Sequence, residues 1–358
     1  MITRLELLAF KRFAHFEMPM RPLTVLTGLN GSGKSTVVQS LLLAHQASLS
    51  DGNTVPLTAE PGLDLGQEED VLHEAATGDH VEILISDGLD HRWVFRVGAG
   101  RELPYLHVEV LPEAPPLPLG TPGMIYLSAE RLGPRTSHPT VAVEHARATV
   151  GEDGRFTAHA LAVNAQMQVE PGRRHQTAGN VITLPAQTEA WLSSVVGPTQ
   201  IQTGLVPRTG IATLHVRPRG SGGRWLLPTN TGFGISYTLP VIVAGLLMSP
   251  GGLLIVDAPE AHLHASAQAA MGVFLATIAG SGVQVVVETH SEHVLNGIRR
   301  AVAVNQALPC TDVGLVFFGH GETSFPAMDA QGRLDHWPPL FFDQLDTDLG
   351  VLTRIRRS

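Results

Sequence analysis

A chain of 358 residues, 43% hydrophobic and 16% charged, is long enough to bury a sizeable core and too apolar to stay disordered. A formal charge of −9 argues against a uniformly basic surface. A single cysteine, Cys310, excludes an intrachain disulfide framework and fits a reducing compartment, so the cytoplasm is the expected location. The opening 16 residues lack the apolar core of a secretory signal. The most apolar stretch, 235–256, contains Pro240 and is cut by Ser249-Pro250-Gly251-Gly252, so no membrane span is expected.

In chain order, residues 2–10 and 23–27 read as strands. A glycine-rich turn then leads into a helix expected over 35–47, with Val38, Leu41, Leu42 and Gln46 near helical spacing. From about 50 to 220, Gly, Pro and Thr are frequent and the apolar runs are short and β-like, as at 81–85 and 93–97; the Pro-rich stretch 112–122 is expected to be a loop. After 220 a helix is expected over 233–248 despite Pro240, then an apolar strand at 253–257, an Ala-rich helix at 265–279, a β-branched strand at 283–288 and a further strand at 313–318. Alternating helices and strands predict an α/β protein with a mostly parallel central sheet. No sustained heptads occur, so no long coiled-coil arm is expected.

Gly28-Leu29-Asn30-Gly31-Ser32-Gly33-Lys34-Ser35 satisfies G-x-x-x-x-G-K-[ST] in full, between a strand and a helix. In such a loop the amides of Asn30, Gly31, Ser32, Gly33 and the first helical residues through Thr36 face phosphate, Lys34 neutralises it, and the Ser35 hydroxyl holds Mg²⁺. Only Lys11 and Lys34 are lysines among 24 basic residues. A lysine kept against that bias marks a position suited to a compact ammonium. Asp257 ends an apolar strand, where a carboxylate orients Mg²⁺. Glu260 follows in Pro259-Glu260-Ala261-His262-Leu263-His264, and His290 follows the next strand, where a neutral imidazole meets a phosphate oxygen or the attacking water. Gly232, Gly234 and Ser236 open a helix, either as an anion site or as an ordinary start with a serine cap. The segment 125–135 carries Arg131 and Arg135, open to nucleotide contact or to surface salt bridges. Arg208, Arg217, Arg219 and Arg224 are open to a phosphate backbone or to a solvated face.

Together these residues resemble the ABC-type heads of the RecF, SMC-like and OLD ATPases. Ile2-Thr3-Arg4-Leu5-Glu6-Leu7 with Phe10 and Phe13 resembles their N-terminal hairpin, and the run 259–264 with Thr289-His290-Ser291 resembles the OLD branch. Segments 126–135 and 232–240, Trp337-Pro338 and Phe341-Phe342-Asp343-Gln344 resemble a bacterial group of AAA family ATPases with a short C-terminal domain of unknown function. The resemblance spans most of the chain and is weakest between 50 and 122. It implies an ABC-ATPase-like P-loop NTPase with an N-terminal antiparallel β subdomain, using ATP and Mg²⁺. It implies ATPase segments at 1–50 and 221–310, a β-rich insertion at 51–220 and a C-terminal extension at 311–358.

The resemblance further implies a homodimer closed around ATP, with Gly232, Gly234 and Ser236 reaching the γ-phosphate in trans. Asp257 corresponds to the Walker B acid and His290 to the switch histidine. The implied setting is DNA repair or anti-phage defence, acting on a partner protein such as an effector or nuclease, or on nucleic acid. One position departs: Ala258 stands where the family places a catalytic glutamate, and His264 where it places an aspartate. Glu260 is the first substitute base and Glu288 the second. Lys34, Glu260 and His290 are therefore the expected catalytic set, and hydrolysis is expected to be slow. The alternative is a non-hydrolysing, ATP-controlled switch. A small-molecule kinase fits less well, since Asp257 lies far down the chain from the loop.

Overall fold

The computed structural model describes residues 1–50, 53–89, 91–98, 104–111, 123–142, 149–220, 222–339 and 341; the Pro-rich stretch 112–122 and the Phe342-Asp343-Gln344 triplet lie outside them. The strands are β1 (Ile2–Phe10), β2 (Phe13–Pro19), β3 (Leu23–Gly28), β4 (Thr54–Pro56), β5 (Thr58–Ala59), β6 (Leu63–Asp64), β7 (His80–Asp87), β8 (Arg92–Gly98), β9 (Tyr105–Leu111), β10 (Met124–Leu127), β11 (His138–Pro139), β12 (Thr199–Val206), β13 (Ile211–Pro218), β14 (Leu253–Asp257), β15 (Gln284–Glu288), β16 (Val313–Phe318) and β17 (Thr323–Ser324). The helices are α1 (Lys34–Leu49), α2 (Thr157–Val163), α3 (Leu184–Val196), α4 (Phe233–Leu247), α5 (Ala265–Gly280) and α6 (Glu292–Ala303).

A central sheet runs β10-β14-β15-β3-β16-β17, parallel except for the last strand. Its middle strands are buried on both faces, which is why they read as continuous apolar runs. Period-two alternation splits their side chains between two cores. Leu254, Val256, Val285 and Val287 face a core shared with α3, α4, α5 and α6. Leu253, Ile255 and Val286 face a second core, shared with α1 and an antiparallel sheet ordered β2-β1-β7-β8-β9-β4. The expected parallel sheet with its N-terminal antiparallel partner is thus present.

Segment 51–220 is divided among several units. β4, β7, β8 and β9 extend the antiparallel sheet, β10 enters the central sheet beside β14, and β12 and β13 pair in a small third sheet. It also holds α2 and α3, in a region expected to be β-like. α3 buries Leu184, Gln187, Thr188, Trp191, Leu192 and Val195, a helical stripe whose period is masked because Gln187 and Thr188 are polar. The segment 311–358 likewise begins inside the central sheet: β16 lies parallel to β3, with Phe318 opposite Gly28.

That neighbour fixes the start of the glycine loop. A methyl added at Gly28 would sit 2.2 Å from the Phe318 carbonyl oxygen, at a backbone φ of 131°. Gly28→Ala is therefore expected to cost on the order of 2–5 kcal/mol and lower the melting temperature by roughly 5 °C. A calorimetric scan checks this; an unchanged melting temperature would contradict the close strand approach.

Candidate active site

The loop between β3 and α1 places Asn30, Gly31 and Ser35 at the surface and Ser32, Gly33, Lys34 and Thr36 beneath it. Gly31 takes φ 67° with open space around it, and Gly33 takes φ 115° against the Phe13 ring. Both angles lie in the region glycine favours, and they let the loop fold back on itself. Only 3% of Lys34 is exposed. Its Nζ donates to the carbonyls of Gly28 (3.2 Å) and Leu29 (2.7 Å), and Ser32 Oγ donates to the same Leu29 carbonyl (2.6 Å). Burial lowers the Lys34 pKa, while Glu288 and Asp257 act to raise it.

Parallel register sets Asp257 and Glu288 side by side at the ends of β14 and β15. Ser35 Oγ donates to both carboxyl oxygens of Glu288, at 3.1 and 3.2 Å. Burial, joined by the charge of Asp257, pushes Glu288 up to about 7, with Lys34 and the Ser35 hydrogen bond pulling the other way. Burial also raises Asp257, with Arg131 opposing and Glu260 adding to the rise. Two crowded carboxyls beside a serine hydroxyl make a donor set for a hard divalent cation, whose charge would relieve their repulsion. Among the described residues no group of three or more His, Cys, Asp or Glu side chains encloses an ion alone. A Mg²⁺ ion is ordinarily held by one or two carboxylates together with phosphates and water.

Glu260 faces the segment after β15 instead. Its Oε2 accepts from Thr289 Oγ1 and its Oε1 from the His290 amide, both at 2.8 Å. His290 is exposed. Partial desolvation where its ring meets the protein, seconded by Lys34, holds its pKa below the ordinary value against the pull of Glu260, which favours the neutral imidazole. Ala258 takes the left-handed φ of 43° and donates its amide to the Glu288 carbonyl at 2.9 Å.

Arg131 is not one half of a surface salt bridge. It is buried and donates to the carbonyls of Ser128, Asp257 and Ala258. The sequence offered one signal for it, an arginine just past a short apolar strand. Gly232 is the N-cap of α4 and is exposed, Ser236 is half-buried, and Gly234 approaches the His262 carbonyl. Arg217 lies over the Trp225 ring and Arg219 pairs with Glu189, so two members of the basic stretch are already engaged within the chain.

A cleft of about 770 Å³ adjoins the loop at Ser32; Arg12, Phe13, Asp70, Glu74 and Glu322 are among the residues that line it. No element of the sequence reading pointed to it, because its walls come from three separated turns.

The family described as "AAA domain, putative AbiEii toxin, Type IV TA system" matches residues 23–148 and 209–296, more than half of the chain. A family described as "Protein of unknown function (DUF3696)" matches residues 309–352, in line with the expected C-terminal domain. No curated protein matches. Among solved structures, an SMC head bound to the C-winged helix domain of ScpA gives a TM-score of 0.54 at 14% identity, covering 92% of this chain and 98% of that one. An SMC head domain with an extended coiled coil, bound to the C-terminal domain of ScpA derived from Pyrococcus furiosus, gives 0.54 at 10% identity, covering 99% of each. These likenesses establish the head fold. Among the described residues no helix is long and apolar enough to cross a membrane.

Proposed function

The chain belongs to the AAA domain family of the putative AbiEii toxin, type IV toxin–antitoxin description, and on that premise we propose that it is a cytoplasmic ATPase that closes as a homodimer around Mg·ATP and couples slow hydrolysis to a partner. The observation that carries this reading is the joining of Ser35 to Glu288 with Lys34 seated in the loop beside them. The amides of residues 30–36 and Lys34 hold the triphosphate, and the nucleoside extends into the cleft past Phe13. Ser35, Asp257 and Glu288 hold Mg²⁺, which when bound neutralises charge on the phosphate oxygens. Glu260 keeps a second lone pair on each oxygen, so it holds Thr289 and His290 in place while remaining the candidate base. His290 reaches the γ-phosphate or the attacking water as a neutral donor or acceptor.

Gly232, Gly234 and Ser236 then meet the nucleotide of the second copy. In solution, a Glu260→Gln protein is expected to double in mass by light scattering when Mg·ATP is added. Ser236→Arg in that background is expected to stay monomeric while binding Mg·ATP as before. Monomers in both states would sink the dimer. The solved SMC heads are bound to ScpA domains. A partner polypeptide for this chain, or a nucleic acid, follows by analogy only, as do roles in DNA repair or phage defence.

A non-hydrolysing switch is the second reading, favoured by the methyl of Ala258 and by the prior engagement of both Glu260 oxygens. Phosphate release at saturating Mg·ATP separates the two. Release lost in Lys34→Ala and Glu260→Gln supports the ATPase, and none in the wild type supports the switch. No calorimetric binding of Mg·ATP would remove both.

A further inference from the structure

Only 3% of Arg131 is exposed, and an arginine buried this far is costly unless its donors are used; among the described residues Nε has no partner, and the two Nη atoms carry the bonds. Nη1 donates to the carbonyls of Ser128 (2.8 Å) and Asp257 (2.7 Å), and Nη2 to that of Ala258 (2.6 Å). All three acceptors are main chain, so the fork sets backbone position rather than pairing a carboxylate. The guanidinium also lies 5.6 Å from the centroid of the Tyr237 ring, within cation–π range.

Tyr237 belongs to the first turns of α4 and lies 4.3 Å from the His262 ring; Phe233 lies 5.3 Å from the same ring. A methyl added at Gly234 would meet the His262 carbonyl at 3.3 Å. The start of α4 therefore rests on the turn that follows β14, and Arg131 touches both. That turn holds two non-glycine residues in the left-handed region, Ala258 at φ 43° and His262 at φ 60°. Each is a strained state that persists only where its surroundings hold it.

We propose that Arg131 is a positioning residue that ties the start of α4, through the Tyr237 ring, to the Asp257–Ala258 backbone. Engagement of α4 by the second copy's nucleotide then sets how the same chain presents Asp257 and Glu260. The inference rests on the dimer reading above.

Three variants test it. Arg131→Lys keeps the charge and loses the fork, Tyr237→Leu removes the ring but leaves Arg131, and Tyr237→Phe keeps the ring. In Arg131→Lys and Tyr237→Leu, kcat for phosphate release is expected to fall roughly 10- to 100-fold, the scale of a small misplacement of reacting groups. Mg·ATP affinity of the single chain is expected to stay within about threefold in Tyr237→Leu, which leaves the Arg131 bonds to the Asp257 and Ala258 carbonyls in place. Tyr237→Phe is expected to match the wild type, and Tyr237→Leu is expected to add nothing to Arg131→Lys.

Amide exchange supplies a readout free of turnover. Dimer formation is expected to slow exchange across residues 255–262 in the wild type but not in Tyr237→Leu, although that variant still dimerises. Wild-type kcat and wild-type exchange in Tyr237→Leu would overturn the coupling even if Arg131→Lys does not fold. A wild type that never dimerises would overturn the dimer reading first, before any variant is compared.

Discussion

Lys34→Ala is expected to weaken Mg·ATP binding by roughly 10²–10³-fold, the equivalent of about 3–4 kcal/mol for charge-assisted hydrogen bonds to phosphate. Lys34 is buried at the mouth of α1, with its ammonium held by the carbonyls of Gly28 and Leu29. It is also the cation that opposes the rise of the Glu288 carboxyl. Its removal strips the loop of its counter-charge and leaves the neighbouring acids more crowded. Arginine is not expected to rescue the site, because a planar fork does not fill a pocket shaped for a compact ammonium. Calorimetric titration with Mg·ATP checks this. Affinity within threefold of wild type would mean that the phosphates bind elsewhere.

Glu288→Gln is expected to stabilise the ligand-free protein at pH 8 while weakening its use of Mg²⁺. The folded carboxyl is raised from 4.5 to about 7. Below pH 4.5 it is protonated both folded and unfolded, so no penalty arises there. Between 4.5 and about 7 the folded state holds a proton that the unfolded state lacks, and stability falls as pH rises. Above about 7 the penalty is complete and amounts to about 3 kcal/mol. Glutamine does not ionise, so the variant is expected to gain on the wild type across that window and hold a constant lead above it. Paired melting curves from pH 4 to pH 8 check this, and a gap independent of pH would refute the buried, raised carboxyl. In the same variant, the increase in ATP affinity on adding Mg²⁺ is expected to shrink roughly 10- to 100-fold, as when a group around a metal is lost.

Legibility in the sequence tracks how local each feature is. The phosphate loop is contiguous from Gly28 to Ser35, so its chemistry could be read directly, and the structure gives it the strand, turn and helix it requires. The strands ending at Asp257 and Glu288 were readable because burial on both faces leaves an unbroken apolar run. What could not be read was their register. Glu288 meets Ser35 only because β15 lies between β14 and β3, a pairing between residues 253 positions apart. Arg131 was ambiguous for the same reason, since its acceptors at Asp257 and Ala258 lie more than a hundred residues away. α3 was missed because polar Gln187 and Thr188 occupy its buried stripe. Gln187 satisfies its amide with the His175 amide and the Val181 carbonyl, a nonlocal pairing that no periodicity reveals.

β3 (Leu23–Gly28) is flanked by β15 and β16, whose first residues are Gln284 and Val313, so both are made long after it. A chain emerging from the ribosome at about 5–20 residues per second has the glycine loop out long before either flank exists. Gly28 acquires its backing, the main chain of Phe318, only when residue 318 has cleared the exit tunnel. A growing chain would thus remain unable to grip triphosphate until β15 and β16 have followed β3 out of the ribosome. Nascent chains arrested before residue 284 should not be retained on immobilised ATP, whereas those released beyond 341 should be.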